Sequence, residues 1–437
     1  MHMFRVRDDF RRAQFAIAAL FLILGFQYGT WASRLPTIKA RLDLSTAEVG
    51  LLLMACGVGA AASFPLVTLL MKRLGSRRLS LCSAVGLSLI LPALAAAPDY
   101  PVALLVTCLD GVGVACLNVA MNAQGAALEV SHQRTTMAKF HATFSGGSLC
   151  AALLASGTNL FTSSLSVHFG IAVAVVLLVT GYARSGLLRQ DAEQAAGEQP
   201  VAPVEEVAPV KEKSRRKLTL PTRITIWMGL AMVFGTVTEG AMNDWSALYL
   251  KTIAHAPSEL LPMGIAVVSV MMVLARIFAD GWRARWGDGR IVRVGTALAA
   301  VGLALALLVG GTAPALLGFA CVGLGIAAAT PCIYMAAANQ GPDALSLVAA
   351  MGTTGLLAGP AVIGFIAGAS SLVWGMAAVA ASAMLVSLCT TRIRWAVRAD
   401  SPAEPMAEPL SGPLSEPLDG LSAEPVAEPV AEPLPQG

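Results

Sequence analysis

A chain of 437 residues that is 56% hydrophobic and only 13% charged, at mean hydropathy +0.69, is too apolar for one soluble core; soluble domains carry about 25% charged residues. A net charge of +3, dispersed among separate segments, excludes a nucleic-acid surface. Eight cysteines without CxxC spacing, five histidines without HExxH spacing and the lack of a GxxxxGK[ST] string leave no disulfide framework, metal site or nucleotide-driven motor to expect. No cofactor and no enzymatic activity are expected, since no nucleophile–base pair appears.

The first apolar run, Ala13–Ala32, is too long for a signal-peptide core and is read as the first membrane span. Runs of comparable length follow at 46–71, 79–97, 101–127, 137–162 and 167–187. Each is near the ~20 residues that cross a hydrocarbon layer about 30 Å thick. The stretch 188–222 then breaks the pattern: it is charged, Pro-containing and free of aromatics. Six further runs follow, at 224–249, 258–279, 291–310, 313–336, 344–367 and 371–390. The expected architecture is an all-α integral membrane protein with twelve transmembrane helices in two pseudo-symmetric halves. The halves are 1–187 and 223–392, joined by a cytoplasmic linker at 188–222. The acidic, Pro-rich tail, 393–437, cannot bury a core and is expected to be disordered.

Basic residues set the orientation. Arg5, Arg7, Arg11 and Arg12 precede the first span, Lys72, Arg73, Arg77 and Arg78 follow the second, and Lys211, Lys213, Arg215, Arg216 and Lys217 lie in the linker. The 3–4 and 5–6 connections have none. Both termini are therefore expected in the cytoplasm. Arg34, Lys39 and Arg41, between the first two spans, argue the other way. Ser45 with Glu48 three residues later reads as a capping box opening the second span.

An ionisable side chain near the bilayer centre costs at least ~2.5–3.5 kcal/mol on insertion scales, so each needs a reason. Asp110 lies near the middle of the fourth span beside Gly111 and Gly113, and is a candidate proton or ligand site, with an inter-helix hydrogen bond as the alternative. Asn118 and Asn122, at i,i+4, share a face below it. The seventh span carries Glu239 and Asn243 on one stripe, with Asp244 beside them. Glu239 is the second proton-coupling candidate. Gln27 and Trp31 share a face near the end of the first span and could bind a ring-shaped solute. With Asn118, Asn122, Asn243 and Asp244 they form the candidate substrate-binding set.

The connection after the eighth span contains Arg276, Asp280 and Arg283, and resembles the G-x-x-x-D-R-x-G-R-R loop of the major facilitator superfamily, with Asp280 as the signature aspartate. The 2–3 loop holds a second copy in Gly75, Arg77 and Arg78, with Lys72 where that aspartate is expected. The stretches WASRLPTIKARLDLS, NVAMNAQGAALE, TEGAMNDWSALYL and GLLAGPAVIGFIAG are similar to those of a bacterial subgroup around the rhizopine-transport protein and fucose permease. The resemblance implies a monomeric secondary transporter of a bacterial inner membrane that moves a small polar solute, such as a sugar or polyol, by alternating access. A proton is the expected coupling ion and the lipid bilayer the surroundings; no nucleic acid is involved. Efflux of amphipathic compounds, or a non-transporting solute sensor on the same fold, are the alternatives.

Overall fold

In a computed structural model the chain is described over residues 2–132, 136–188 and 222–395, where fourteen α-helices and one short 3-10 turn are found. Before the linker these are α1 (His2–Ala32), α2 (Leu35–Arg41), α3 (Thr46–Ala62), α4 (Phe64–Ala96), α5 (Tyr100–His132), α6 (Met137–Asn159) and α7 (Leu165–Arg184). After it come α8 (Arg223–Thr252), the turn Ser258–Leu260, α9 (Met263–Trp286), α10 (Asp288–Val309), α11 (Thr312–Ile326), α12 (Ala329–Ala338), α13 (Pro342–Ala369) and α14 (Leu372–Thr390). Most of the linker, the tail from 396 onward and the Asp280 side chain lie outside the described residues.

Local chemistry explains the breaks. Ser45 accepts from the Glu48 amide at 3.2 Å and its own amide donates to Glu48 Oε2 at 2.7 Å, so the capping box forms and opens α3. The predicted second span is interrupted at Ser63, where Pro65 in the first turn of α4 removes a backbone donor. The predicted 2–3 loop is almost absent. α4 runs through it, with only Gly75 outside helical geometry (φ 70°, ψ 165°). Gly287 does the same between α9 and α10 (φ 76°, ψ 151°). Both glycines sit where a Cβ would be strained.

Among the described residues, ten helical segments, counting α11 and α12 as one, are long and apolar enough to cross a membrane, or eleven if α2 and α3, bent by 120°, form one span. Among the described residues, α6 is the long helix that falls short, because Lys139, His141 and the Ser145–Ser148 run dilute it.

Packing repeats between the halves. α1 packs on α6 and α7 as α8 packs on α13 and α14. α5 packs on α3 and α4 as α11 packs on α9 and α10, and the α4–α7 pair corresponds to α10–α14. The halves meet through α3–α13 and α6–α9, two contacts that exchange under the same correspondence. Small residues make them close: Gly50 lies against the Pro360 carbonyl and Gly364, and Gly57 against Leu357.

Candidate functional site

Two polar bridges cross between the halves in the interior. In the first, the Tyr28 hydroxyl on α1 donates to Asp244 Oδ1 on α8. In the second, Arg276 on α9 donates to Ser145 Oγ on α6 at 2.7 Å and pairs with Glu239 on α8 at 3.5 Å. Asp244 is 4% exposed, whereas the Glu239 and Arg276 side chains are about one-third open. The second bridge is therefore accessible and the first sealed.

Asp110 is sealed as well. It lies within the first half, where Gln27 Nε2 donates to Oδ1 at 3.4 Å and the Cys56 thiol reaches Oδ2 at 3.7 Å. Gly111 lets α3 come close: a Cβ there would collide with the Cys56 carbonyl, and one at Gly59 with the Cys108 carbonyl. What approaches Asp110 at Gly111 is thus a helix. Its described partners are neutral, while Glu239 faces a guanidinium.

The remaining predicted residues divide. Gln27, Tyr28 and Asp244 connect Asp110 to the inter-half bridge, because Gln27 and Tyr28 are neighbours on α1. Trp31 is buried one turn beyond, with its ring edge-on to Tyr28 at 6.1 Å. The Gln27 carbonyl oxygen and the Trp31 and Trp245 indole nitrogens are buried without a hydrogen-bond partner. Asn243 donates back to the Glu239 carbonyl at 3.2 Å. Asn118 and Asn122 bond one another at 3.1 Å on a more open face of α5, apart from the buried Asp110 face.

The signature loops need a change of register. Superposing the two turn glycines, Gly75 and Gly287, puts Ala284 opposite Lys72, so Asp280 lies one helical turn before the signature aspartate position. Arg276 lies well inside α9 and belongs to the inter-half bridge, not to a gating loop. Arg283 instead forks onto Asp288 at 2.8 and 3.0 Å, bracing the Gly287 turn. In the first half Arg77 donates to the Arg184 carbonyl at 2.9 Å, tying the Gly75 turn to the end of α7, and Arg78 is exposed. Neither set of contacts crosses between halves.

Sequence reasoning passed over Arg276 as a central residue because it adjoins a loop signature. It also counted Arg34 as a loop charge, although Arg34 is 1% exposed. Two surface crevices, between α6 and α7 near Phe161 and between α3 and α5 near Leu105, are lined almost wholly by apolar side chains and lie away from the carboxylates.

Comparison with known proteins accords with this geometry. The Major Facilitator Superfamily model matches residues 16–344. An uncharacterized MFS-type transporter of Yersinia pestis is 30% identical over 361 residues, covering 80% of this chain and 88% of that protein. Membrane protein MosC of Rhizobium meliloti is 29% identical over 365 residues, covering 82% and 84%. Among solved structures, a variant of the nucleoside transporter NupG aligns at TM-score 0.67 with 12% identity, over 87% of this chain and 99% of that one. FucP in its outward conformation aligns at TM-score 0.56 with 16% identity, over 87% and 98%. A twofold-repeated helical bundle with carboxylates buried between and within its halves thus coincides with a family match over most of the length, and the chain belongs to the Major Facilitator Superfamily.

Proposed function

We propose that this chain is a secondary active transporter that moves a small polar solute, sugar- or polyol-like, through a bacterial inner membrane. The observation that carries the reading is the pair of interior bridges between halves, Tyr28–Asp244 and Ser145–Arg276–Glu239. Alternating access requires a binding site that both halves share and that each conformation exposes to one side. These bridges are bonds that a solute's hydroxyl groups can replace, and the indoles of Trp31 and Trp245 offer apolar faces to a ring. The helices make twelve passages, counting α6 and dividing α4 at Gly75, with residues 1–187 and 223–392 as the moving halves and both termini cytoplasmic.

A proton gradient is the proposed drive. Asp110 is the carrier favoured by geometry: its partner Gln27 is the residue next to Tyr28, so rearrangement at the solute site reaches it through one side chain. Glu239 is held by Arg276 and serves solute binding in this scheme.

Reconstitution in liposomes with a panel of sugars, polyols, organic acids and lipophilic cations tests this. Solute-induced inward proton current in the native chain, lost in Asp110→Asn with counterflow exchange retained, is the expected result. Current surviving Asp110→Asn but lost in Glu239→Gln would move the carrier to Glu239. Response to lipophilic cations alone, with protons moving oppositely, would replace the reading with an exporter.

A further inference from the structure

Among the described residues, the end of the first half near α2 holds a buried cation without a counterion. Arg34, between α1 and α2, is 1% exposed, and its described side-chain hydrogen bond runs from Nε to His168 Nδ1 at 3.0 Å. Arg34 Nη2 is buried with no partner, and so is His168 Nε2. The described ion pairs, Arg276–Glu239 and Arg283–Asp288, lie elsewhere.

The bond fixes the imidazole's state. A guanidinium only donates, so Nδ1 must present a lone pair and Nε2 must carry the hydrogen. Both orphaned atoms are therefore donors, on two groups already held together. His168 is in the first turn of α7, where the helix's positive end adds to the potential, and that turn contains no acidic residue. Burial draws the Arg34 guanidinium down to about 10, as expected of a charge deprived of water and given no anion. A water molecule would satisfy the donors but leave the charge; an isolated buried charge is among the costliest features a fold can carry.

We infer that Arg34 and His168 form a binding site for a small monoanion, a halide or the carboxylate of a solute, received by Arg34 Nη2 and His168 Nε2. One positive charge calls for one negative charge. Two donors suit a compact acceptor rather than a phosphate, which would bring surplus charge into a buried place. The site is separate from the inter-half bridges and does not depend on the proposed transport reaction.

The test uses the full chain in nanodiscs at constant ionic strength with sulfate as the reference anion. Thermal unfolding is followed against added chloride, bromide or acetate. A rise in melting temperature of several degrees is expected, setting in near the dissociation constant and then growing with the logarithm of anion concentration. A rise with chloride and bromide identifies a resident halide, and bromide should then be located beside Arg34 by anomalous diffraction. A rise with acetate alone identifies a solute carboxylate. Arg34→Gln should abolish the dependence. Because that variant could fold poorly, His168→Phe provides a second reading: it keeps the charge, removes one donor, and should raise the concentration at which the rise sets in about tenfold or more. A native chain indifferent to all three anions, or one whose response persists unchanged in both variants, overturns the site.

Discussion

The two ends of the bundle are held differently. At the end bearing α2 and the Ser258–Leu260 turn, the halves are tied to one another. Lys251 on α8 donates to the Pro36 carbonyl at 3.2 Å, Asn159 on α6 reaches the Ser258 carbonyl at 2.6 Å, and Ser156 donates to the Glu259 carbonyl. The close α3–α13 contact also belongs to this end, running from Thr46 to Gly57 against Leu357 to Gly368. At the linker end, the hydrogen bonds of Arg77, Arg283 and Gln124 stay within a half. Arg77 bonds the α7 terminus, Arg283 bonds Asp288, and Gln124 holds both Ser76 (2.6 Å) and the root of the linker at Leu188 (2.9 and 3.1 Å). The break at Ser63 marks the change, since α3 packs on α13 as well as α5 before it, whereas α4 packs on α5 and α7 after it. Among the described hydrogen bonds, those tying the halves together gather at this one end, the asymmetry expected of one state in the proposed alternating-access cycle.

A wedge at the fastened end should have the largest effect. A side chain at Gly50 would meet the Pro360 carbonyl at 2.9 Å and Gly364 Cα at 3.0 Å, both backbone. Gly50→Trp should therefore exclude this state, at a cost of about 3 kcal/mol or more. Spin labels at Ala40 and His255 should show a distance distribution shifted by several ångströms; an unchanged distribution would mean that α3–α13 packing does not hold this end.

Breaking the interior latch should have a smaller effect. Tyr28→Phe removes the hydrogen bond to Asp244 and leaves the ring in place. A hydrogen bond contributes roughly 0.5–1.5 kcal/mol net, and up to ~3 to a charged partner, which is about a two- to hundredfold change in the ratio of states. The same labels should report a second population rather than a wholesale shift. Because Tyr28 also belongs to the proposed solute site, turnover and apparent solute affinity should change together.

How much of this was legible in the sequence depends on whether a feature is local. The capping box at Ser45 and Glu48 was legible because both partners lie within one turn. The apolar runs were legible because span length is set by the bilayer. Asp110 stood out as an expense in an apolar helix, and it is indeed buried, but its partners Gln27 and Cys56 lie 83 and 54 residues away, where no spacing rule reaches. Arg34, Lys39 and Arg41 looked like loop charges opposing the orientation. The fold uses all three as ties: Arg34 to His168, Lys39 to the Leu44 carbonyl, and Arg41 to the carbonyls of Leu94 and Ala95 at 2.8 and 2.5 Å, capping the end of α4. Basic side chains that bond helix-end carbonyls favour the negative end of the helix dipole and carry little topological information. The signature register failed for a related reason. It was read from charges, whereas the turn is made by backbone at Gly75 and Gly287.

The smallest effect should come from Lys251. Its side chain is partly open to solvent and its partner, the Pro36 carbonyl, is neutral, so the bond competes with water at both ends. Lys251→Ala should shift the balance of states by about 0.5–1 kcal/mol, within a factor of five or so. The mixed population expected of Tyr28→Phe is the sensitive background for seeing it, because a ratio near unity responds visibly to a small bias. In that double variant the fastened population should fall further, by the Lys251 contribution alone if the two ties act independently, since they join different turns of α8 to different elements. A larger fall would mean that the two bonds along α8 open together, making α8 itself, from Asp244 to Lys251, the element that swings away from α1 and α2.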